Sequence, residues 1–274
     1  MRGLSISAAW EETREILARD GGLLTTVALA LIALPTTINT LINPAGVNVG
    51  STPLWAIGVA LVAYLTALAG QLALITLVIG RSITVGGAIA HGARRLPIYV
   101  AAVLVIVVAL LLVLLAMGLI LGGLGVHVDR QVTAQMNPAS LVAGLVFLAI
   151  FVFLFVRMVL SAPIASAEMV GPIGVLRRSW DLTSGHWWVL FAFLLIFFIG
   201  AGIVVLAVGS AAGVAIGFTI GKIQPMSAAA LLLALIDALV SAAVTTFLAV
   251  MLARIYLQLS GRADAAVTVP SSGI

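Results

Sequence analysis

The sequence has no cysteine and few charged residues, and both shortages limit what the protein is. Without cysteine there is no disulfide framework, no thiolate nucleophile and no cysteine-ligated metal site. Charged residues make up 8% of the 274 residues, against about 25% in soluble domains. Hydrophobic residues make up 63%. This composition excludes a water-soluble globule and indicates a membrane protein.

Residues for catalysis or metal binding are also scarce. The three histidines, His91, His127 and His186, have no second histidine or carboxylate at metal-ligand spacing. No nucleophile elbow, Walker loop or dinucleotide fingerprint is present. The net charge of +4 lies mostly beside the apolar runs, which argues against a nucleic-acid partner. We therefore expect no enzymatic activity of its own, no cofactor and no metal.

Six long apolar runs dominate the rest of the chain. Each exceeds the roughly 20 residues that a helix needs to cross a bilayer, which predicts an all-α, polytopic membrane protein with six transmembrane helices and short amphipathic interfacial helices. The predicted spans are residues 22–44, 54–80, 97–126, 140–163, 187–220 and 227–257. The predicted organisation is an N-terminal amphipathic helix (1–20), a six-span membrane domain (21–259) and a disordered C-terminal tail (260–274).

The basic residues are distributed unequally between the two sides of this pattern. Only Arg130 and Lys222 fall on one side, and the other eleven of the thirteen fall on the opposite side: Arg2, Arg14, Arg19, Arg81, Arg94, Arg95, Arg157, Arg177, Arg178, Arg254 and Arg262. An excess of Lys and Arg in short loops marks the cytoplasmic side. The sequence thus predicts a multi-pass protein of the bacterial cytoplasmic (inner) membrane with both termini in the cytoplasm.

Three amphipathic segments precede the first, third and fifth spans. We expect the first, residues 4–20, to end at Gly21-Gly22. The second, residues 81–96, is expected to end at Arg94-Arg95, before Pro97 opens the third span. The third, residues 168–185, should begin its helix at Pro172 and end it at Gly185.

Prolines and a repeated motif suggest further features. Pro35 predicts a kink in the first span and Pro163 a break at the end of the fourth. Residues 85–87 (Val-Gly-Gly) match residues 170–172 (Val-Gly-Pro) at an offset of 85 residues. Two interpretations stay open: three duplicated units of interfacial helix plus hairpin, or the periodicity that any chain of linked hairpins shows.

Asp237 is an ionisable residue in the middle of the sixth span. Such a residue is costly at bilayer depth and is by default a candidate functional site. It is either protonated or hydrogen-bonded to a neighbouring span, or it belongs to an ion or proton pathway. Transporters usually gather several polar groups at the midplane, whereas here only Gln71, and Asn39 nearer the outer face, lie at comparable depth.

Glycines recur every four residues at the end of the fifth span, at Gly209, Gly213, Gly217 and Gly221. In the third span, Gly118 and Gly122 form a shorter row. Such spacing lets helix backbones approach closely. We expect packing within the bundle, with a homodimer contact as the alternative.

The densest cluster of polar residues lies between residues 157 and 188. Arg157 should lie near Glu168, and we expect the Glu168 carboxylate to pair with Arg157 or Arg178. Arg177 and Asp181 are spaced as an i, i+4 pair. The candidate cluster is Arg157, Glu168, Arg177, Arg178, Trp180 and Asp181. One interpretation is an interfacial helix held to the bundle by a partly buried ion pair. The other is a site for lipid headgroups or a protein partner, with arginines facing phosphate. The two are compatible.

The same region resembles a known family. Arg157, Pro163 and residues 167–188 are similar to the membrane domain found beside bacterial glycerophosphoryl diester phosphodiesterases, which pairs a Glu-x-x-Gly-Pro element with an Arg-Ser-Trp helix. The matching residues are Glu168, Gly171, Pro172, Arg178, Ser179 and Trp180, and residues 84–95 resemble the family's other cytoplasmic linker. The resemblance implies a six-span fold over nearly the whole chain. The catalytic barrel with its metal ligands is missing, so the resemblance assigns no activity.

These observations favour a membrane scaffold or lipid-associated module. The expected partners are the phospholipid bilayer and either another membrane protein or a second copy of the chain. The alternative function is a small-solute or proton-coupled transporter that uses Asp237.

Overall fold

The structure is a computed structural model that describes residues 4–43, 52–80, 84–123, 138–219 and 226–261. About 91% of these residues are helical, and no strand occurs among them. The helices are α1 (Ile6–Ala28), α2 (Leu34–Ile42), α3 (Leu54–Val78), α4 (Val85–Gly123), α5 (Pro138–Met158), α6 (Ser161–Ala167), α7 (Pro172–Thr183), α8 (Trp187–Thr219) and α9 (Ala228–Leu259). A π-helical turn, Leu29–Ala33, joins α1 to α2.

Six stretches of the described chain are long and apolar enough to cross a membrane: Ile6–Ile42, Leu54–Val78, Val85–Gly123, Leu141–Ala167, Trp187–Thr219 and Ala228–Leu259. The predicted all-α polytopic class and its six spans are confirmed. Each of the six stretches contains most of one predicted span, and the protein is a multi-pass membrane protein.

Two of the three interfacial segments are not separate helices. The prediction that Gly21-Gly22 ends the first was wrong, since α1 runs through both glycines. The prediction that Pro97 opens a new helix was also wrong, because α4 begins at Val85 and contains Pro97. An unbroken helix keeps the backbone N–H and C=O groups bonded where the chain enters the apolar layer, and this outweighs the local cost of glycine or proline.

The predicted proline effects occur upstream of the prolines themselves. The π-helical turn before Pro35 includes Leu31, four residues earlier, and the Leu34 N–H bonds to the Leu29 carbonyl. The fourth span breaks at Val159 and Leu160, not at Pro163, which lies inside α6. A proline ring clashes with the carbonyl of residue i−4, and residue 159 is four residues before Pro163.

The third interfacial segment is a separate helix, as expected. Helix α7 begins with Pro172 in its first turn and is followed by Gly185 at φ +85°. A proline needs no N–H partner in the first turn, and glycine adopts the left-handed region without strain. Both predicted helix ends are confirmed.

The tightly packed part of the bundle lies at the end that carries the arginines. We call this the arginine end, because all the described arginines belong to it: Arg14, Arg19, Arg94, Arg95, Arg157, Arg177, Arg178 and Arg254. All seven residues of α6 are buried there. By contrast, the distal halves of α4, α5 and α8 expose apolar side chains such as Leu119, Leu145 and Leu206, which suits contact with lipid tails.

Small residues form the central packing surface, but on a different helix from the one expected. Helix α9 contacts α1, α2, α3, α6 and α8. Its buried alanines recur every four residues, at Ala230, Ala234, Ala238 and Ala242, which lets neighbouring helices approach.

The prediction that the glycine row packs within the bundle was wrong. A Cβ placed at Gly209, Gly213 or Gly217 meets nothing within 4 Å, and the same holds for Gly118 and Gly122. A contact between copies of the chain stays a prediction. Gly221 lies outside the described residues.

Two other predicted segments lie outside the described residues. One is the outer loop with His127 and Arg130, and the other is the C-terminal tail, apart from Ser260 and Gly261. The threefold repeat stays a prediction too. Only its third unit begins with a separate interfacial helix.

Candidate functional site

Glu168 joins three elements at the arginine end. It follows α6 in an extended conformation, and its side chain is 12% exposed. Its Oε1 accepts a hydrogen bond from the Tyr256 hydroxyl (2.9 Å), while Arg178 Nε donates to the same oxygen at 3.4 Å. Tyr256 lies on α9 and is fully buried. The carboxylate therefore holds α7 and α9 to the turn that follows α6.

Arg157 does not share this ion pair. Its guanidinium carbon lies 4.8 Å from the centre of the Trp180 ring and 5.4 Å from that of Phe153. One terminal nitrogen donates to the Trp180 carbonyl at 3.4 Å. Its Nε is buried and has no hydrogen-bond partner in the described structure. Arg157 is thus held by cation–π contacts, and no described carboxylate neutralises its charge.

The backbone beside Arg157 connects α5 to α7. The Arg157 carbonyl accepts from Ser179 Oγ at 2.7 Å and from Thr183 Oγ1 at 3.4 Å, and both side chains are buried. The arginine is consequently fixed relative to the interfacial helix. Trp187, at the start of α8, lies 6.0 Å from the Phe153 ring, so interfacial aromatics surround the site.

Arg177 and Asp181 are both exposed on α7. The interpretation of these residues as an ion pair was wrong: among the described side chains, they do not come within ion-pair distance of each other. An exposed helical pair contributes only about 0.3–0.5 kcal/mol, and the order Arg before Asp is the weaker one on a helix. The Arg177 charge is therefore free to meet an external anion.

Two residues that the sequence reasoning missed belong to the same end of the bundle. Arg95 on α4 is only 9% exposed, and it forms no ion pair with any described carboxylate. His91, one turn earlier, bonds through Nε2 to the Ser166 carbonyl at 2.9 Å and so ties α4 to α6. The only sequence signal for Arg95 was its position in a linker that we predict to be cytoplasmic, and nothing there indicated burial.

The arginines at this end divide into two groups. Four have a carboxylate partner within 4.0 Å: Arg14 with Glu11, Arg19 with Asp20, Arg178 with Glu168 and Arg254 with Glu12. Within the described ranges, the other four have none: Arg94, Arg95, Arg157 and Arg177. The arginine end thus carries excess positive charge, part of it withdrawn from solvent.

Asp237 lies apart from this cluster, in a cavity of about 320 Å³ near the opposite end of the bundle. Asn39, Thr40 and Asn43 of the α2 end line the same cavity. Sequence reasoning noted Asn39 but not that the fold brings it beside Asp237. No group of three or more His, Asp or Glu side chains that could hold a metal occurs in the described part of the chain.

Comparison with known proteins identifies a family but no function. No curated protein and no solved structure matches the chain. Residues 4–259 match the family model described as "Domain of unknown function (DUF7847)", which covers all six spans and the arginine end. The chain therefore belongs to the DUF7847 family.

Proposed function

We propose that this protein is a non-catalytic, lipid-associated module of the bacterial cytoplasmic membrane, whose arginine end faces the cytoplasm and binds the phosphate groups of phospholipid headgroups. The observation that carries the proposal is that Arg95 is only 9% exposed and that half-buried Arg157 has a buried Nε, while neither has a carboxylate partner in the described structure. An uncompensated buried charge is costly. A phosphate group supplies the missing negative charge.

The surroundings of Arg157 support a headgroup ligand rather than a soluble one. Trp180 and Trp188 are exposed at this end of the bundle, and tryptophan concentrates at the depth of lipid headgroups. A guanidinium presents several N–H donors in one plane, which suits the oxygens of a phosphate. Since Ser179 and Thr183 fix the position of α7, the donors are already oriented before the lipid binds.

Phospholipid retained through purification tests this proposal. Arg157→Gln and Arg95→Gln are each expected to reduce the lipid phosphorus bound per protein in detergent. A hydrogen bond to a charged group contributes about 1.5–3 kcal/mol, which is about tenfold or more in affinity. Arg14→Gln is the matched control, because Arg14 is exposed and already paired with Glu11. Equal phosphorus in all four proteins would contradict the proposal.

The orientation can be tested separately. A reporter that is active only in the cytoplasm should give signal when fused after Gly261, because eleven of the thirteen basic residues lie on that side. The same reporter inserted in the loop at residues 128–136 should give none. Signal from the loop alone would reverse the proposed orientation and place the arginine end outside the cell.

A further inference from the structure

The cavity around Asp237 brings together polar groups from two helices. Asp237 contributes a carboxylate from α9, and Asn39, Thr40 and Asn43 contribute two amides and a hydroxyl from α2. The amide nitrogen of Asn43 donates to Asn39 Oδ1 at 3.4 Å. Asp237 itself has no hydrogen bond or ion pair with any described residue. Polar groups are expensive at this depth, so their convergence on one cavity indicates a polar ligand.

The position of the cavity allows entry from the outer side. Asp237 lies nine residues after the start of α9, or about 13 Å along the helix at 1.5 Å per residue. Asn43 caps the end of α2, and the Met226 N–H bonds to the Leu41 carbonyl where α9 approaches that end. The site therefore lies at the opposite end of the bundle from the arginines, and it is separate from the proposed headgroup site.

The size and lining of the cavity restrict the ligand. A water needs about 10–15 Å³, so a bare monovalent ion would leave most of the 320 Å³ empty. Apolar side chains complete the wall, among them Val205, Val208 and Val240. Among the described residues, no aromatic ring lines it, which disfavours quaternary ammonium groups, since these are recognised by aromatic cages. A primary ammonium group matches better, because its N–H donors need the carboxylate and amide oxygens.

We propose that this cavity binds a small primary ammonium compound, with Asp237 as the counter-ion, the Asn39 and Asn43 amides as hydrogen-bond acceptors and the valine wall against a short apolar chain. The proposal is independent of the lipid-binding function, because it uses no residue of the arginine end.

Calorimetric titration of the full-length protein in detergent with n-butylammonium chloride, at constant ionic strength, tests the proposal. We expect saturable one-to-one binding, and none with tetramethylammonium chloride. Asp237→Asn should weaken binding by about tenfold or more, since it removes a charge-assisted contact. Asp181→Asn is the matched control, because Asp181 is exposed at the other end of the protein. It should bind like the wild type.

A second variant keeps the carboxylate intact. Gly209 lines the cavity, and a Cβ added there meets nothing within 4 Å, so Gly209→Leu should fold and fill the site. It should also weaken binding by about tenfold or more. The proposal is overturned if the wild type shows no saturable binding, if tetramethylammonium binds equally well, or if either cavity variant keeps wild-type affinity.

Discussion

Gly92→Ala is expected to lower the melting temperature of the purified protein in detergent. A Cβ at position 92 would lie 2.8 Å from the Ala69 carbonyl oxygen and 3.0 Å from the Ala73 nitrogen. Both atoms belong to the backbone of α3, so they cannot move aside as a flexible side chain can. Overpacking of this kind costs about 1–3 kcal/mol. The contact between α3 and α4 should loosen, although the substitution adds only one methyl group.

Gly213→Ala is the matched control for this substitution. It makes the same chemical change in the last part of a long span, α8, and its Cβ meets nothing within 4 Å. Its melting temperature should equal or exceed that of the wild type, because alanine favours a helix by about 1 kcal/mol over glycine. A lower melting temperature for Gly213→Ala, with Gly92→Ala unaffected, would reverse our assignment of which glycines pack against a neighbouring helix.

Glu168→Gln is expected to destabilise the protein by about 1.5–3 kcal/mol, because it replaces a charged acceptor that serves both Tyr256 and Arg178. Tyr256→Phe should cost less, since Arg178 still has its carboxylate. The double variant should cost less than the sum of the two single variants, because both act on the same hydrogen bond: Glu168→Gln weakens its acceptor and Tyr256→Phe removes its donor. Thermal unfolding in detergent measures all three.

Asp181→Asn is the control for Glu168→Gln. It neutralises an exposed carboxylate of the same helix region, and Asp181 forms no ion pair with the described arginines. Its melting temperature should match that of the wild type. If both variants melt alike, Glu168 does not hold α7 to the bundle, and the ion pair with Arg178 contributes no measurable stability.

The number and position of the spans could be predicted from the sequence, because long apolar runs carry that information directly. The ends of the helices could not. Gly21-Gly22 and Pro97 are typical local signals for helix ends, yet α1 and α4 continue through them. These residues do not end the helices, because a helix entering the apolar layer cannot leave its backbone N–H and C=O groups unbonded.

The surfaces that pack between helices could not be predicted from the sequence either. Residues spaced by four mark a close helix contact, and both α8 and α9 carry such rows. The sequence does not say which row faces protein. The structure buries Ala234 and Ala238 of α9, whereas a Cβ added at Gly213 or Gly217 of α8 would meet nothing within 4 Å. Alanine gave the weaker signal because it is common in every apolar run.

The ion pair of Glu168 with Arg178 could be anticipated, since the two residues are ten positions apart and flank a predicted helix start. Tyr256 could not, because it is 88 residues away from Glu168 and belongs to another span. The burial of Arg95 and the grouping of Asn39 with Asp237 could not be predicted either, because they too depend on residues that lie far apart in the sequence. These contacts depend on which helices become neighbours, and hydropathy does not encode that.

Native mass spectrometry of the full-length protein tests most directly whether Arg95 and Arg157, which have no described carboxylate partner, bind lipid phosphate. Three proteins are released from identical micelles containing phosphatidylglycerol: the wild type, the double variant Arg95→Gln/Arg157→Gln and the double variant Arg14→Gln/Arg19→Gln. The two double variants lose the same charge, but Arg14 and Arg19 already have carboxylate partners. We predict that the wild type and the Arg14/Arg19 variant keep bound phosphatidylglycerol and that the Arg95/Arg157 variant loses it. Equal lipid adducts on the two double variants would contradict the claim.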